Sequence, residues 1–516
     1  MSLSQIVLAT SCVAAAAYQL WRVPRAWAFL LLFIVLMPKL PLVGVPGNPT
    51  PIRVDDVVIA AVLAGWALRE LFTVRLKPDT TVNPVRLKPD TTVNPVRLKP
   101  DTTVNPVRLK PDTTVNPVRL KPDTTGNQRD AAATSQSGES GFSRTIPPSP
   151  ATLFLLAYWS AALVCTLLGI ASLTTPPLTG VLHFARVIEY GLLYYFFYRS
   201  VRPDELEDAV QVFRFALLVV CGIWLAQHWT HAPVSGPPTN WATLYPTFSA
   251  TYDFGGYLMV ATVALYALWS TGGSRSVWTP VALLAGLYVT VNSDSRASLL
   301  GVALALVFDV VVRVRWRSAL ALGALGAAAP FVIDSKKMMG LIDAAVAIMM
   351  SLNFEIVQRA FATDPSLALR LRNWRLAVDH WVLRPLVGDG LGGYLRYTQQ
   401  YGMPGTPDGW YIRVLADTGL IGLLAFVLLM AALLWTLLRA FQLETQPLRR
   451  AIVYGAALAL VATSVSAILV DTFVSYKIMG VFWMIIGVGT RIAADGGRIG
   501  VAPDLGPAPP ALLDLA

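Results

Sequence analysis

Runs of about 15 to 22 apolar residues recur from one end of this chain to the other, and no other feature limits its fold so severely. They lie at 3–21, 26–45, 56–72, 151–172, 178–198, 209–229, 252–270, 277–291, 297–312, 319–333, 419–438, 451–470 and 474–490. A helix needs about 20 apolar residues to cross a ~30 Å hydrocarbon layer, and most of these runs suffice, the shorter ones with their flanks. A single water-soluble core could not hide them: 55% of the 516 residues are hydrophobic and 14% charged. The expected fold is therefore all-α, a polytopic bundle of about 12 to 13 membrane spans. The run at 26–45 is the weakest span, because Pro38, Lys39 and Pro41 interrupt it.

Two segments fall outside this pattern. The unit VRLKPDTTVNP begins at Val74, Val85, Val96 and Val107, with a truncated copy at 118–125. Two prolines in every unit forbid a continuous helix, and the segment lacks the apolar content that would offset the entropy of ordering. Residues 74–150 are thus expected to be a disordered insertion, and the Pro/Ala-rich residues 496–516 a disordered tail. The remaining divisions follow: membrane helices at 1–73, 151–333 and 411–495, and one large, partly helical loop at 334–410.

Net charge is +10, yet the cations fall in short loops between apolar runs rather than on one basic face. Nucleic acid is accordingly not an expected partner; the lipid bilayer is. Arg22, Arg25, Arg199, Arg202, Arg275, Arg313, Arg315, Arg317, Arg439, Arg449, Arg450 and Arg491 lie on one side by parity, which the positive-inside bias makes cytoplasmic. The alternate loops hold little more than Lys39, Arg53, Arg296 and Lys477. The loop at 334–410 then faces outward, and its arginines are exempt because long loops escape the charge rule. Cys12, Cys165 and Cys221 are scattered through apolar runs, and His183, His228, His231 and His380 form no ligand set, so neither metal nor cofactor is expected.

Charge and order concentrate between 367 and 424. Arg370, Arg372, Trp374, Arg375 and Asp379 share an amphipathic segment that Pro385 ends. A turn follows with Gly388, Gly390, Gly392 and Gly393, which has no preceding strand and no phosphate-loop lysine. Backbone freedom explains those glycines better than a nucleotide cradle does. Elsewhere, Asn292-Ser-Asp-Ser-Arg296-Ala-Ser298 stands at a helix end. Arg186 and Glu189 sit three apart inside an apolar run, where charge is costly and faces a bundle interior or wet cavity. Asp309 and Arg313 read as an interfacial pair, and residues 194–198 (YYFFY) as an aromatic belt at the membrane surface.

The order Arg370-x-x-x-Trp374, Pro385-x-x-Gly388-x-Gly390-x-Gly392, then Asp408-x-x-Tyr411 and Asp417-x-Gly419-Leu-Ile-Gly422, resembles the O-antigen ligase and polysaccharide polymerase superfamily. The Ser-Arg-Ala of 295–297 resembles that family's short arginine signature. The resemblance covers roughly 242–440 and implies a bacterial inner-membrane glycosyltransferase that needs no metal. It would take a glycan from a polyprenyl diphosphate donor to a hydroxyl of a glycan, lipid A core or protein acceptor. It implies Arg296 and Arg370 as catalytic groups, with Trp374, Gly388, Gly390, Tyr411 and Asp417 around the substrate. Asp408 joins the catalytic candidates, and Arg372, beside Arg370, and Arg186, which could equally form a structural ion pair with Glu189, are further candidate substrate contacts. Planar guanidinium suits a diphosphate because it matches two oxygens at once. Where family ligases commonly carry histidine this chain has Asp408, which could act as a base or cap the helix starting near Trp410; Asp417 is a further candidate base. A flippase or other transporter is the alternative; it would show midplane ionisable residues and repeats within the membrane part.

Overall fold

The computed structural model describes residues 18, 22, 25–37, 41–43, 52–75, 150–230, 248, 251–313, 365–400 and 408–499. Met1–Glu70 with Pro148–Ala516 form one compact unit and Leu71–Pro147 a second, of which only the end of one helix is described. Most of the run at 3–21, the run at 319–333, the repeats and the tail from 500 lie outside the described residues.

Apolar runs become helices because a backbone without water must satisfy its own N–H and C=O groups, and a helix does so within one segment. The first pieces are α1 (Ala26–Leu36), a two-stranded antiparallel ribbon of β1 (Pro41–Val43) and β2 (Ile52–Arg53), and α2 (Val54–Arg75). After the insertion come α3 (Pro150–Ala171), α4 (Pro177–Ser200), α5 (Leu206–Thr230), α6 (Thr251–Ser270), α7 (Trp278–Asn292) and α8 (Arg296–Arg313). The large loop supplies α9 (Pro365–Trp381) and α10 (Gly393–Gln400). Three long helices follow: α11 (Trp410–Leu443), α12 (Pro447–Leu469) and α13 (Tyr476–Ile499). Ala151–Ala171, Pro203–Trp229, Trp410–Leu443, Pro447–Leu469 and Tyr476–Gly496 are each long and apolar enough to cross a membrane. The chain is thus a multi-pass, all-α helical bundle.

The bundle closes around α12, which packs on α6, α8, α11 and α13. Its run of Gly455, Ala456, Ala457, Ala459, Ala462 and Thr463 lets neighbouring backbones approach; a Cβ on Gly455 would already sit 3.3 Å from Ala264. Small residues serve this purpose between helices in lipid, where no hydrophobic drive pulls them together. α6 is enclosed on all sides from Asp253 through Leu268.

Charges gather at one end of the bundle. Arg25 pairs with Glu205 (3.1 Å), which also accepts from the indole of Trp27 (3.0 Å). Arg449 meets Glu444 (3.3 Å), and Arg491 meets Asp495 (3.2 Å). These contacts unite the helix ends that the charge bias assigned to one side.

Four expectations are corrected. The run at 26–45 does not form a span: α1 rises only about 16 Å at 1.5 Å per residue before the chain turns extended at Met37. The reason lies in Lys477, expected in a loop but fully buried at the start of α13. Its ammonium donates to Val35 O (3.2 Å) and Met37 O (2.8 Å) and lies 4.6 Å from the Phe248 ring centroid, so a cation caps the carbonyl end of α1. Lys477→Met keeps the volume but removes the charged donor to both carbonyls. With hydrogen bonds to charged groups worth ~1.5–3 kcal/mol, the melting midpoint of the detergent-solubilised protein is expected to fall by several degrees.

The stretch at 194–198 is not a surface belt; Tyr194, Phe196, Phe197 and Tyr198 are buried, stacked among themselves and against Trp483. Nor is Asp309 interfacial: it is fully buried and accepts from Tyr266 (2.8 Å), Tyr454 (2.6 Å) and Arg313, joining α6, α8 and α12. The fourth correction concerns Gly419, expected to open a span. The helix already starts at Trp410, and Gly419 is a break within it.

Candidate functional site

At Gly419 the backbone of α11 turns to φ 63, ψ −164, a conformation open only to glycine. Two helical pairs vanish there, those that Leu420 and Ile421 would make to Ala416 and Asp417. The glycine-rich turn of 385–393 replaces both. Leu420 N–H donates to Pro385 O (2.9 Å) and Ile421 N–H to Leu386 O (3.2 Å), while Asp389 N–H donates to Ala416 O (3.2 Å) and Gly390 N–H to Asp417 O (2.8 Å). All four of these groups are thereby satisfied, as burial in a membrane bundle demands. Gly388 (φ +64) and Gly390 (φ +91) are held to glycine by conformation and by contact: a Cβ on Gly388 would meet Ala416 O at 2.6 Å. Thr174 and Thr175 hydroxyls donate to Asp389 O, each at 2.7 Å, tying the turn to the α3–α4 corner.

The junction fixes a buried charge cluster. Asp417 Oδ1 accepts from Tyr394 N–H (3.1 Å), and its Oδ2 lies 3.6 Å from Arg413 Nε. Arg413 Nη1 donates to Asp471 Oδ2 at 2.9 Å. Arg413 is 5% exposed and its two carboxylate partners 3% and 8%. Beside them opens a cavity with about 710 Å³ of space free of protein atoms, its mouth included. Its walls come from α3, α4, α11, α13, the turn at Leu391 and the α12–α13 connection. Leu155, Val187, Phe426, Leu429 and Phe473 make it mainly apolar, while Arg186, His183, Arg413 and Asp417 supply its polar side. Such a chamber suits an amphiphile with an anionic head.

A second cluster forms where α9 meets the start of α11. Arg370 Nε lies 3.1 Å from Asp408 Oδ2, and the Trp374 indole donates to Asp408 O. Trp374 also packs on Ala297, Leu300, Leu469 and Val470, which brings the start of α8, and with it Arg296, to the same region. Arg372 is exposed. Asp408 is not the helix cap: Gly409 holds that position, without a side-chain cap bond. Nearby, His380 and Arg384 both approach Asp389, and His380 stacks on Tyr397 at 3.8 Å between centroids. Burial pushes the Tyr394 phenol above its ordinary pKa, so it stays a neutral donor to Asn373 O (3.1 Å).

The residues singled out in the sequence therefore divide. Arg186 and Asp417 line the cavity, Gly388 and Gly390 build the turn beneath it, and Arg296, Arg370, Trp374 and Asp408 belong to the second cluster. Tyr411 does not line the cavity; its hydroxyl donates to Ser464 O at 3.1 Å. Sequence reading missed Arg413, Asp471, His183 and Trp410. Arg413 would have been flagged as an intramembrane charge had the apolar run been started at Trp410. Among the described residues, no three His, Cys, Asp or Glu side chains gather as metal ligands would.

Residues 280–427 match the family described as O-Antigen ligase. That stretch holds Arg296, Arg370, Trp374, the glycine turn, Asp408, Arg413 and Asp417; the opposite cavity wall, on α3, α4 and α13, lies outside it. No curated protein matches the chain. The match and the apolar helices together support an O-antigen ligase family membrane protein.

Proposed function

We propose that this O-antigen ligase family membrane protein transfers or polymerises glycan from a polyprenyl diphosphate donor onto an acceptor hydroxyl, at the periplasmic face of the bacterial inner membrane. The observation that carries the reading is an apolar-walled cavity with arginines on its polar side, joined by the glycine turn to the stretch that matches the family. In this reaction the acceptor oxygen bonds to the anomeric carbon, the bond from that carbon to the diphosphate oxygen breaks, and the acceptor proton must be received. Arg186, on the cavity's polar side, is the cation assigned to the leaving diphosphate in the bound donor; Arg296 and Arg370 of the second cluster are assigned to it as it departs, and Asp408 beside them receives the proton. Fixed charges aimed at the charge that develops in the transition state commonly supply most of an enzyme's rate enhancement, and apolar helices hold the lipid.

Asp408→Asn tests the assignment of the base. The Arg370–Asp408 pair is partly exposed, at 22% and 42%, and such pairs contribute about 0–1 kcal/mol. The variant is therefore expected to fold and insert as wild type, yet to transfer no glycan in proteoliposomes given lipid-linked glycan and acceptor. Near-normal transfer would reduce Asp408 to a clasp at the start of α11. The buried charges of Arg413, Asp471 and Lys477 are what a transporter would also show. A transporter moves the lipid in that assay but leaves the sugar on its diphosphate. Surface glycans from a deletion strain, run on a gel, identify the acceptor: long chains, lipid A glycan or protein glycan is lost.

A further inference from the structure

Among the described residues, every buried indole N–H that lacks a hydrogen-bond partner belongs to the wall of the same cavity. The three are on Trp159, Trp410 and Trp483, and the Nε2 of His183 in that wall is likewise buried and unpartnered. Three indoles elsewhere have found acceptors: Trp27 donates to Glu205 (3.0 Å), Trp381 to Pro385 O (2.9 Å) and Trp374 to Asp408 O. Four such groups converge on this one cavity, as they would where a ligand supplies the missing oxygens. The chain makes room for these rings. A Cβ on Gly191 would lie 2.0 Å from the Trp159 ring, and one on Gly392 2.5 Å from the His183 ring.

Three parts of a lipid-linked donor could fill the space, and they differ in how they would treat these groups. An isoprenoid chain accepts no hydrogen bond and would leave all four unpaired. A diphosphate concentrates oxygen and charge at one point, which suits Arg186 rather than N–H groups spread over three helices. A sugar ring carries hydroxyls and a ring oxygen around its edge and offers C–H faces to aromatic side chains, while neutral imidazole can exchange a hydrogen bond with a hydroxyl in either sense. We propose that Trp159, Trp410, Trp483 and His183 form the subsite for the sugar nearest the diphosphate, and that they select the donor by its hydroxyl pattern. The proposal rests on the lipid-diphosphate reading above. A site built to hydrogen-bond hydroxyls rejects analogues that lack them, because its own buried groups are then left unpaired.

The test is binding by the full-length protein in nanodiscs, followed by native mass spectrometry. The probes are bare undecaprenyl diphosphate and the same lipid bearing a single hexose, N-acetylhexosamine or 6-deoxyhexose. Wild type is expected to bind one glycosylated lipid more tightly than the bare lipid. Trp159→Phe and His183→Gln are each expected to lose about tenfold for that lipid while binding the bare lipid as wild type does. Arg186→Ala is expected to weaken both lipids alike. If no glycosylated lipid outcompetes the bare one, or if the two variants lose both lipids equally, the sugar subsite is overturned and the cavity holds lipid or ordered water. If wild type binds neither kind of lipid, the donor reading itself falls and takes the subsite with it.

Discussion

Gly419→Ala is expected to abolish folded protein, at a cost of about 3 kcal/mol or more. Two effects add. At φ 63, ψ −164 any side chain is strained, and the new Cβ would lie 2.3 Å from both the carbonyl carbon and the oxygen of Leu386, backbone atoms that cannot step aside. Moving Leu386 would break the bonds of Pro385 and Leu386 to Leu420 and Ile421, and then those of Asp389 and Gly390 to Ala416 and Asp417. The damage therefore spreads from one methyl group to four hydrogen bonds and the charge cluster behind them. Gly222→Ala is the matched control. Nothing lies within 4 Å of its Cβ position in α5, and replacing glycine inside a helix is expected to be neutral or to stabilise by up to about 1 kcal/mol. Fluorescence-detected size exclusion after a heating series reads both. A Gly419→Ala protein that elutes and melts like wild type would refute the role of the break.

Arg413→Ala is expected to cost about 3–5 kcal/mol, the range found when one partner of a buried ion pair is removed. The guanidinium spans Asp417 (3.6 Å) and Asp471 (2.9 Å), and its loss would leave two buried carboxylates without that cation. The penalty belongs to the buried charge more than to the lost attraction. Asp471→Asn in the Arg413→Ala background is therefore expected to recover part of the melting midpoint, since it removes one buried charge. Arg413→Lys is expected to fall between, because an ammonium keeps the charge but cannot fork to two carboxylates. An Arg413→Ala protein as stable as wild type, or a double variant less stable than the single, would show that the cluster carries no such burden.

Much of the fold was legible because a membrane leaves the chain few choices. Runs such as 209–229 and 451–470 became α5 and α12 within a few residues, since a long apolar segment in lipid has to be helical. Periodicity could not show where a helix stops for want of a partner. The end of α1 depends on Lys477, some 440 residues away, which supplies the donors its last carbonyls need. Asp309 looked interfacial because Arg313 is its neighbour in sequence; the tyrosines that bury it come from α6 and α12.

The sequence by itself determined a multi-pass helical protein. It also set apart the arginine, glycine and aspartate motifs that matter, because their residue types are costly or conformationally special wherever they occur. Only the tertiary structure decided what those motifs do to one another. It showed that the glycines of 388–392 and Gly419 are two halves of one junction, each supplying the hydrogen bonds the other lacks. It also separated Arg370 and Asp408, which pair with each other, from Arg186, Arg413 and Asp417, which share the cavity. The physical reason is that a buried charge or an orphaned amide must be satisfied, and its partner is chosen by proximity in space, which sequence spacing does not encode.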